Sequence, residues 1–148
     1  VGGYQESKFF EAGDKIAVAK TPFGNIGLMV CYDLRFPELA LMLRQQGANI
    51  LTAPAAFTYT TGQLHWQLLL QARAMDSQCY VLGAAQQGWH GEQRQTWGHA
   101  GITDSRGQLL EMINTEGHGL MTCPFDLAEQ NAIRLAMPLM QHRKLINY

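Results

Sequence analysis

The apolar residues of this chain fall first into two short runs, at 15–20 and 25–31, rich in aliphatic and β-branched side chains. Between them Thr21-Pro22-Phe23-Gly24 has the Pro-x-Gly chemistry of a turn, so the stretch predicts a hairpin. The spacing then changes. Over 37–46, Leu39, Met42 and Leu43 recur at helical intervals, Pro37 suits a first helical turn and Gly47 suits a stop. A strand over 49–53 follows, which completes a β-α-β unit. A longer helix is expected over 63–77, with Trp66, Leu69, Leu70 and Ala74 on one face, and a buried strand over 79–85.

The second half is more broken. Residues 86–96 are polar and glycine-bearing, and read as a loop at the mouth of a site. Strands are predicted over 99–103 and 108–113, joined by Asp104-Ser105-Arg106-Gly107, with one more over 119–125. Asp126 can cap a helix running to about residue 136, which Pro138 ends, and the tail 139–148 is expected to pack on a partner or another element. Strands alternating with helices make the fold class α/β with a parallel core.

Composition narrows the classes. The 148 residues are 47% hydrophobic and 16% charged, enough for one core. Net charge is −1 with dispersed basic residues, which disfavours nucleic acid and anionic membranes as partners. No run approaches a membrane span. Three cysteines without paired spacing argue for a reducing compartment, the cytoplasm by default. The five histidines show no metal-ligand spacing, so no metal is expected.

Cys31 is the candidate nucleophile, because it stands where an apolar strand gives way to a helical start. Unpaired N–H groups at such a start attract negative charge, on sulfur or on a carbonyl oxygen under attack. A buried, inert cysteine is the competing reading, and it is the one that fits Cys79 and Cys123 inside their apolar runs.

The segment Cys31-Tyr32-Asp33-Leu34-Arg35-Phe36-Pro37-Glu38 resembles the nucleophile motif of the nitrilase superfamily of carbon–nitrogen hydrolases. Further similarity runs in order through Ala48 to Phe57, His65-Trp66, Gln71-Ala72-Arg73-Ala74, Gln78 to Val81, Trp97-Gly98-His99 and Gln141-His142-Arg143. Within the superfamily the chain is most similar to the Nit branch, its deaminated-glutathione amidases first and its ω-amidases next. The resemblance covers the whole chain but only the second half of the family's usual length, so residues 1–148 are expected to be the C-terminal part of one hydrolase domain. It implies half of a four-layer α-β-β-α sandwich, a homo-oligomer, and contact with an N-terminal half that holds the family's catalytic Glu and Lys. Lys8, Lys15 and Lys20 do not stand in that lysine's motif, and a first residue of Val1 suits a fragment or processed product.

The implied chemistry needs no cofactor. Cys31 attacks the amide of a small carboxylate-bearing substrate, ammonia leaves, and water hydrolyses the thioester. By resemblance, Glu6 is a second active-site glutamate, with Glu11 a weaker candidate, and the Tyr32 N–H is an oxyanion donor. Arg35 is expected to grip the substrate carboxylate, or else to pair with Asp33 or Glu38. Phe57 is read as a pocket wall or core aromatic, and Thr60 and Thr61 as substrate donors or a capped loop. His65 and Trp66 are expected to pack the helix start, Arg73 and Glu38 to form a buried pair, and Trp97-Gly98-His99 to shape a strand entrance. Without the Glu and Lys this chain alone is expected to be inactive. The alternative is a non-catalytic interaction or structural fragment, with a thiol esterase acting through Cys31 alone as a weaker one.

Overall fold

The computed structural model describes residues 5–114 and 117–144. The predicted hairpin forms as β1 (Val18–Thr21) and β2 (Gly24–Leu28), with the Thr21 hydroxyl donating to the Gly24 carbonyl across the turn. Next come α1 (Pro37–Gln45), β3 (Ile50–Thr52), α2 (Tyr59–Ser77) and β4 (Tyr80–Gly83). After them come β5 (Gln87–His90), β6 (Arg94–Trp97), β7 (Gly101–Thr103) and β8 (Leu109–Met112). Two helices, α3 (Leu127–Ala136) and α4 (Leu139–His142), close the described part.

The main sheet runs β1-β2-β3-β4-β7-β8, parallel across β2, β3 and β4 and antiparallel at both ends. Helices α1 and α2 pack together, α1 on β2 and α2 on β4 and β7. Small residues let them approach closely: a Cβ on Gly27 would meet Leu43 and Leu51, and one on Gly83 would meet Leu70 and Trp66. Gly27, Met29, Leu51, Ala53, Val81 and Gly83 therefore form the buried layer with Leu43, Trp66, Leu70 and Ala74. Strand alternation sends Leu28 and Val30 the other way, where they are 48% and 60% exposed. The architecture is a mixed α/β sheet with its principal helices on one face.

Four predicted elements differ. Residues 86–96 are a hairpin rather than a loop, because β5 and β6 pair antiparallel in the register Gly88↔Thr96 and His90↔Arg94, with Gly91 at φ 68° entering the turn. Helix α2 begins four residues early, at Tyr59. Its first turn holds Thr60, Thr61 and Gly62, and Trp97 packs so tightly there that a Cβ on Gly62 would come within 2.2 Å of it. Residues 119–125 form no strand and pair with no sheet edge, and Leu120 is 91% exposed. The strand expected to reach Cys31 ends at Leu28, although its ladder bonds continue.

Other predictions held. Asp104 Oδ1 accepts from the N–H groups of Arg106 and Gln108, which fixes the β7–β8 turn with Gly107 at φ 83°. Asp126 caps α3 by accepting from the Glu129 N–H at 2.9 Å. In the tail, residues 139–142 form α4, while 145–148 lie outside the described residues.

Candidate active site

The ends of the parallel strands build the site. The bonds Met29 N–H to Thr52 O (3.0 Å) and Cys31 N–H to Pro54 O (2.9 Å) carry the β2–β3 ladder on to Cys31. Beside it, Ala55 N–H donates to Ala84 O at 2.8 Å and Gln86 N–H to Ala55 O at 2.9 Å. The loops leaving β2, β3 and β4 thus emerge together, at the carboxyl edge where open α/β sheets place their ligand crevices.

At that edge lies an open cavity of about 880 Å3, walled by Glu6, Val30, Cys31, Pro54 to Ala56, Ala84 to Gln87, His90, Ala100, Ile113 and residues 117–119. Cys31 and Glu6 both line it. Glu6 stands in a 3₁₀ turn, Glu6–Lys8; it and Glu11 are both exposed, and Glu11 lies outside the wall.

Cys31 is strained. It has φ 49°, one of three described non-glycine residues at positive φ, a conformation that costs of order 1–3 kcal/mol and persists where surrounding bonds over-determine it. Those bonds are its own N–H to Pro54 and the Asp33 carboxylate, which accepts from the Val30 N–H at 2.8 Å. The sharp turn takes the chain from the ladder into a 3₁₀ helix, Cys31–Arg35, and α1 starts only at Pro37. The helical start expected at the thiol is therefore a five-residue 3₁₀ turn. Among the described residues no acceptor meets the Tyr32 N–H, the next donor after the thiol.

Four other predicted positions stand beside the cavity rather than in its wall. Arg35 lies over the rings of Tyr32 and Phe57, 5.5 and 5.1 Å from their centroids, and its Nη1 donates to His65 Nδ1 at 3.3 Å. A guanidinium only donates, so His65 accepts there. Its alternative ion pair with Asp33 or Glu38 does not form. Phe57 is buried edge-on against Trp66, the core reading of that residue. Thr61 contacts the Thr58 hydroxyl at 2.8 Å, and Thr60 is exposed on α2. Arg73 pairs with Asp76 at 2.9 Å and donates to Leu34 O at 3.0 Å, whereas Glu38 is exposed, so the expected Arg73–Glu38 pair is replaced by a bond within one helix. Trp66 donates to His99 O at 2.6 Å, and Trp97 stacks on His99 at 4.0 Å. The sequence reading missed His90, His118, Gln86 and Gln87 in the wall. The polar character of 86–96 was the available signal for three of them.

The thiols differ. Burial pushes the Cys79 pKa up, against an opposing pull from Arg134, and burial followed by Glu111 raises that of Cys123. A raised pKa leaves less thiolate at neutral pH. Iodoacetamide at about pH 7.5 is therefore expected to alkylate Cys31 first in the folded protein, with Cys79 and Cys123 gaining rate only as pH rises beyond the ordinary thiol range. Timed alkylation with peptide mapping reads the order, and earlier labelling of Cys79 contradicts it.

The sequence profile of the family described as carbon-nitrogen hydrolase matches residues 1–135. The chain belongs to the carbon–nitrogen hydrolase family. Among relatives, it is 43% identical over 146 residues to the deaminated glutathione amidase of Yersinia enterocolitica, covering 99% of this chain and 51% of that protein. Saccharomyces cerevisiae Nit3, of branch 10 of the nitrilase superfamily, superposes with a TM-score of 0.86 at 34% identity, over 94% of this chain and 51% of that one. A mutant of the amidase from Nesterenkonia sp. AN1, with the acetamide moiety of fluoroacetamide covalently added at its active-site cysteine, matches with a TM-score of 0.67. The identity there is 26%, over 76% of this chain and 42% of that one. This carbon–nitrogen hydrolase chain spans about half the length, or less, of the curated relatives it matches.

Proposed function

We propose that the protein is an amidase that opens the amide of a small carboxylate-bearing substrate, a deaminated glutathione or related ω-keto-amide, through a thioester on Cys31. The observation that carries this is Cys31 itself, held at φ 49° at the end of a parallel ladder, inside a cavity shared with Glu6 and next to the unpaired Tyr32 N–H. Agreement with relatives named amidases supports it.

In this reading a carboxylate base from outside the 148 residues takes the thiol proton, and Sγ attacks the amide carbon. The Tyr32 N–H and a lysine from the same outside half hold the oxyanion. The C–N bond breaks as nitrogen takes the proton. Water, deprotonated by the same base, then attacks the thioester, and the acid leaves with the thiol restored. A primary ω-amide releases ammonia, whereas deaminated glutathione carries its remaining dipeptide on the amide nitrogen and releases that amine. Glu6 orients the amide nitrogen, and Arg35 stiffens the nucleophile turn through Tyr32, Phe57 and His65. Phe57 supports that turn through the guanidinium of Arg35 on its ring, and Thr61 fastens the start of α2 through Thr58.

An N-terminal half would cover the exposed face of Leu28 and Val30 as the second pair of sandwich layers, making residues 1–148 the C-terminal part of one domain. Leu64 and Leu68, each 66% exposed one turn apart on α2, support self-association. Three free cysteines suit the cytoplasm.

The test is product analysis of the complete protein with an ω-keto-amide acid. Equimolar carboxylic acid and ammonia are expected. Consumption of substrate without new acid, or turnover of esters only, contradicts the amidase reading.

A further inference from the structure

We propose that hairpin β5–β6 carries the subsite that recognises the substrate's anionic end, with His90 as the contacting donor and Arg94 as the fixed positive charge beside it. The proposal rests on the amidase reading and deepens it by naming what selects the substrate.

The charge inventory of the cavity leads there. Among its described wall residues Glu6 is the one carboxylate, and His90 and His118 are the side chains able to carry positive charge. The arginine expected to hold a carboxylate, Arg35, lies outside the wall and donates to His65. Register then brings a second arginine to the right place. His90 pairs with Arg94 and Gly88 with Thr96, so strand alternation puts all four on one face of the hairpin. Arg94 Nη2 lies 3.4 Å from the carbonyl of Ala56, a wall residue, so its guanidinium reaches the cavity's margin.

His90 is positioned from beneath. Its Nε2 is 2.8 Å from Oγ1 of Thr96, which is 1% exposed and stands 3.4 Å from the Gly88 carbonyl. That buried hydroxyl orients the ring and leaves Nδ1 as the atom open to a ligand. When the hydroxyl donates to Nε2, Nδ1 carries a proton and donates to an anion. When the hydroxyl donates to Gly88, His90 donates from Nε2, and Nδ1 donates once the ring is cationic. With Cys31 and Glu6 taking the amide, the hairpin takes the carboxylate.

The experiment compares an ω-amide bearing a free carboxylate with its methyl ester, using the complete protein and its His90→Leu variant. His90 is exposed, so the variant is expected to fold. The wild-type protein is expected to favour the acid, and the variant to raise KM for the acid roughly 10- to 100-fold more than for the ester, the range of a lost hydrogen bond to a charged group. Equal effects on acid and ester, no effect on either, or a wild-type protein indifferent to the two would overturn the subsite while leaving the nucleophile in place. Failure of the wild-type protein to turn over any amide, a neutral one such as butyramide included, brings down the amidase reading and the subsite with it.

Discussion

Cys31→Ala in the complete protein is expected to lower kcat/KM for an ω-keto-amide by at least roughly 10⁴-fold, as removal of a nucleophile from a catalytic unit does. The fold should survive, because Cys31 is half-buried and its neighbours Val30 and Tyr32 are exposed. Alanine inherits the same φ of 49°, so no strain is relieved or added beyond the thiol's own contacts. Steady-state kinetics beside a thermal melt separate the two readings: activity lost with the melting temperature nearly unchanged supports a chemical role. A large fall in melting temperature with proportionate loss of activity points to a structural cysteine.

The largest stability effect is expected at Trp66, which is 1% exposed and ties α2 to β4 and to the stretches that follow β3 and precede β7. Its ring meets Phe57 at 5.1 Å, its Nε1 donates to His99 O at 2.6 Å, and a Cβ on Gly83 of β4 would lie 2.7 Å from it. Truncation to alanine removes this contact and leaves a void that packed strands cannot close, so Trp66→Ala should cost about 3–5 kcal/mol. Trp66→Phe keeps most of the ring and loses mainly the bond to His99, for about 1–3 kcal/mol. Denaturant unfolding of both variants measures this, and a similar, small loss in each contradicts the core role.

The local rules that read well in this sequence are the ones whose partners lie nearby. Pro37, Gly47, Asp104 with Gly107, and Asp126 each announced a start, stop or turn, because a cap or tight turn is satisfied within four residues of chain. The β-α-β units followed from apolar spacing, and Cys31 from its place between them. Long-range choices were less legible. Nothing local in 119–125 shows that no sheet edge awaits it. Nothing in Arg73 tells whether its partner is Asp76 on its own helix or Glu38 on another. The alternation of 86–96 was hidden by glycines and glutamines, because a hairpin hanging off the sheet needs few apolar residues. That concealed the wall position of His90, and Arg35 could not be placed until the ring faces of Tyr32 and Phe57 were known.

The central claim is that Cys31 forms a covalent acyl intermediate, and acid-quenched mass spectrometry tests it most directly. The complete protein is mixed briefly with an ω-keto-amide, quenched in acid to preserve thioesters, and digested. The substrate's acyl mass is expected on the peptide containing Cys31, and is lost after prior alkylation of that thiol. Steady turnover with no adduct on Cys31, or an adduct confined to Cys79 or Cys123, would contradict it.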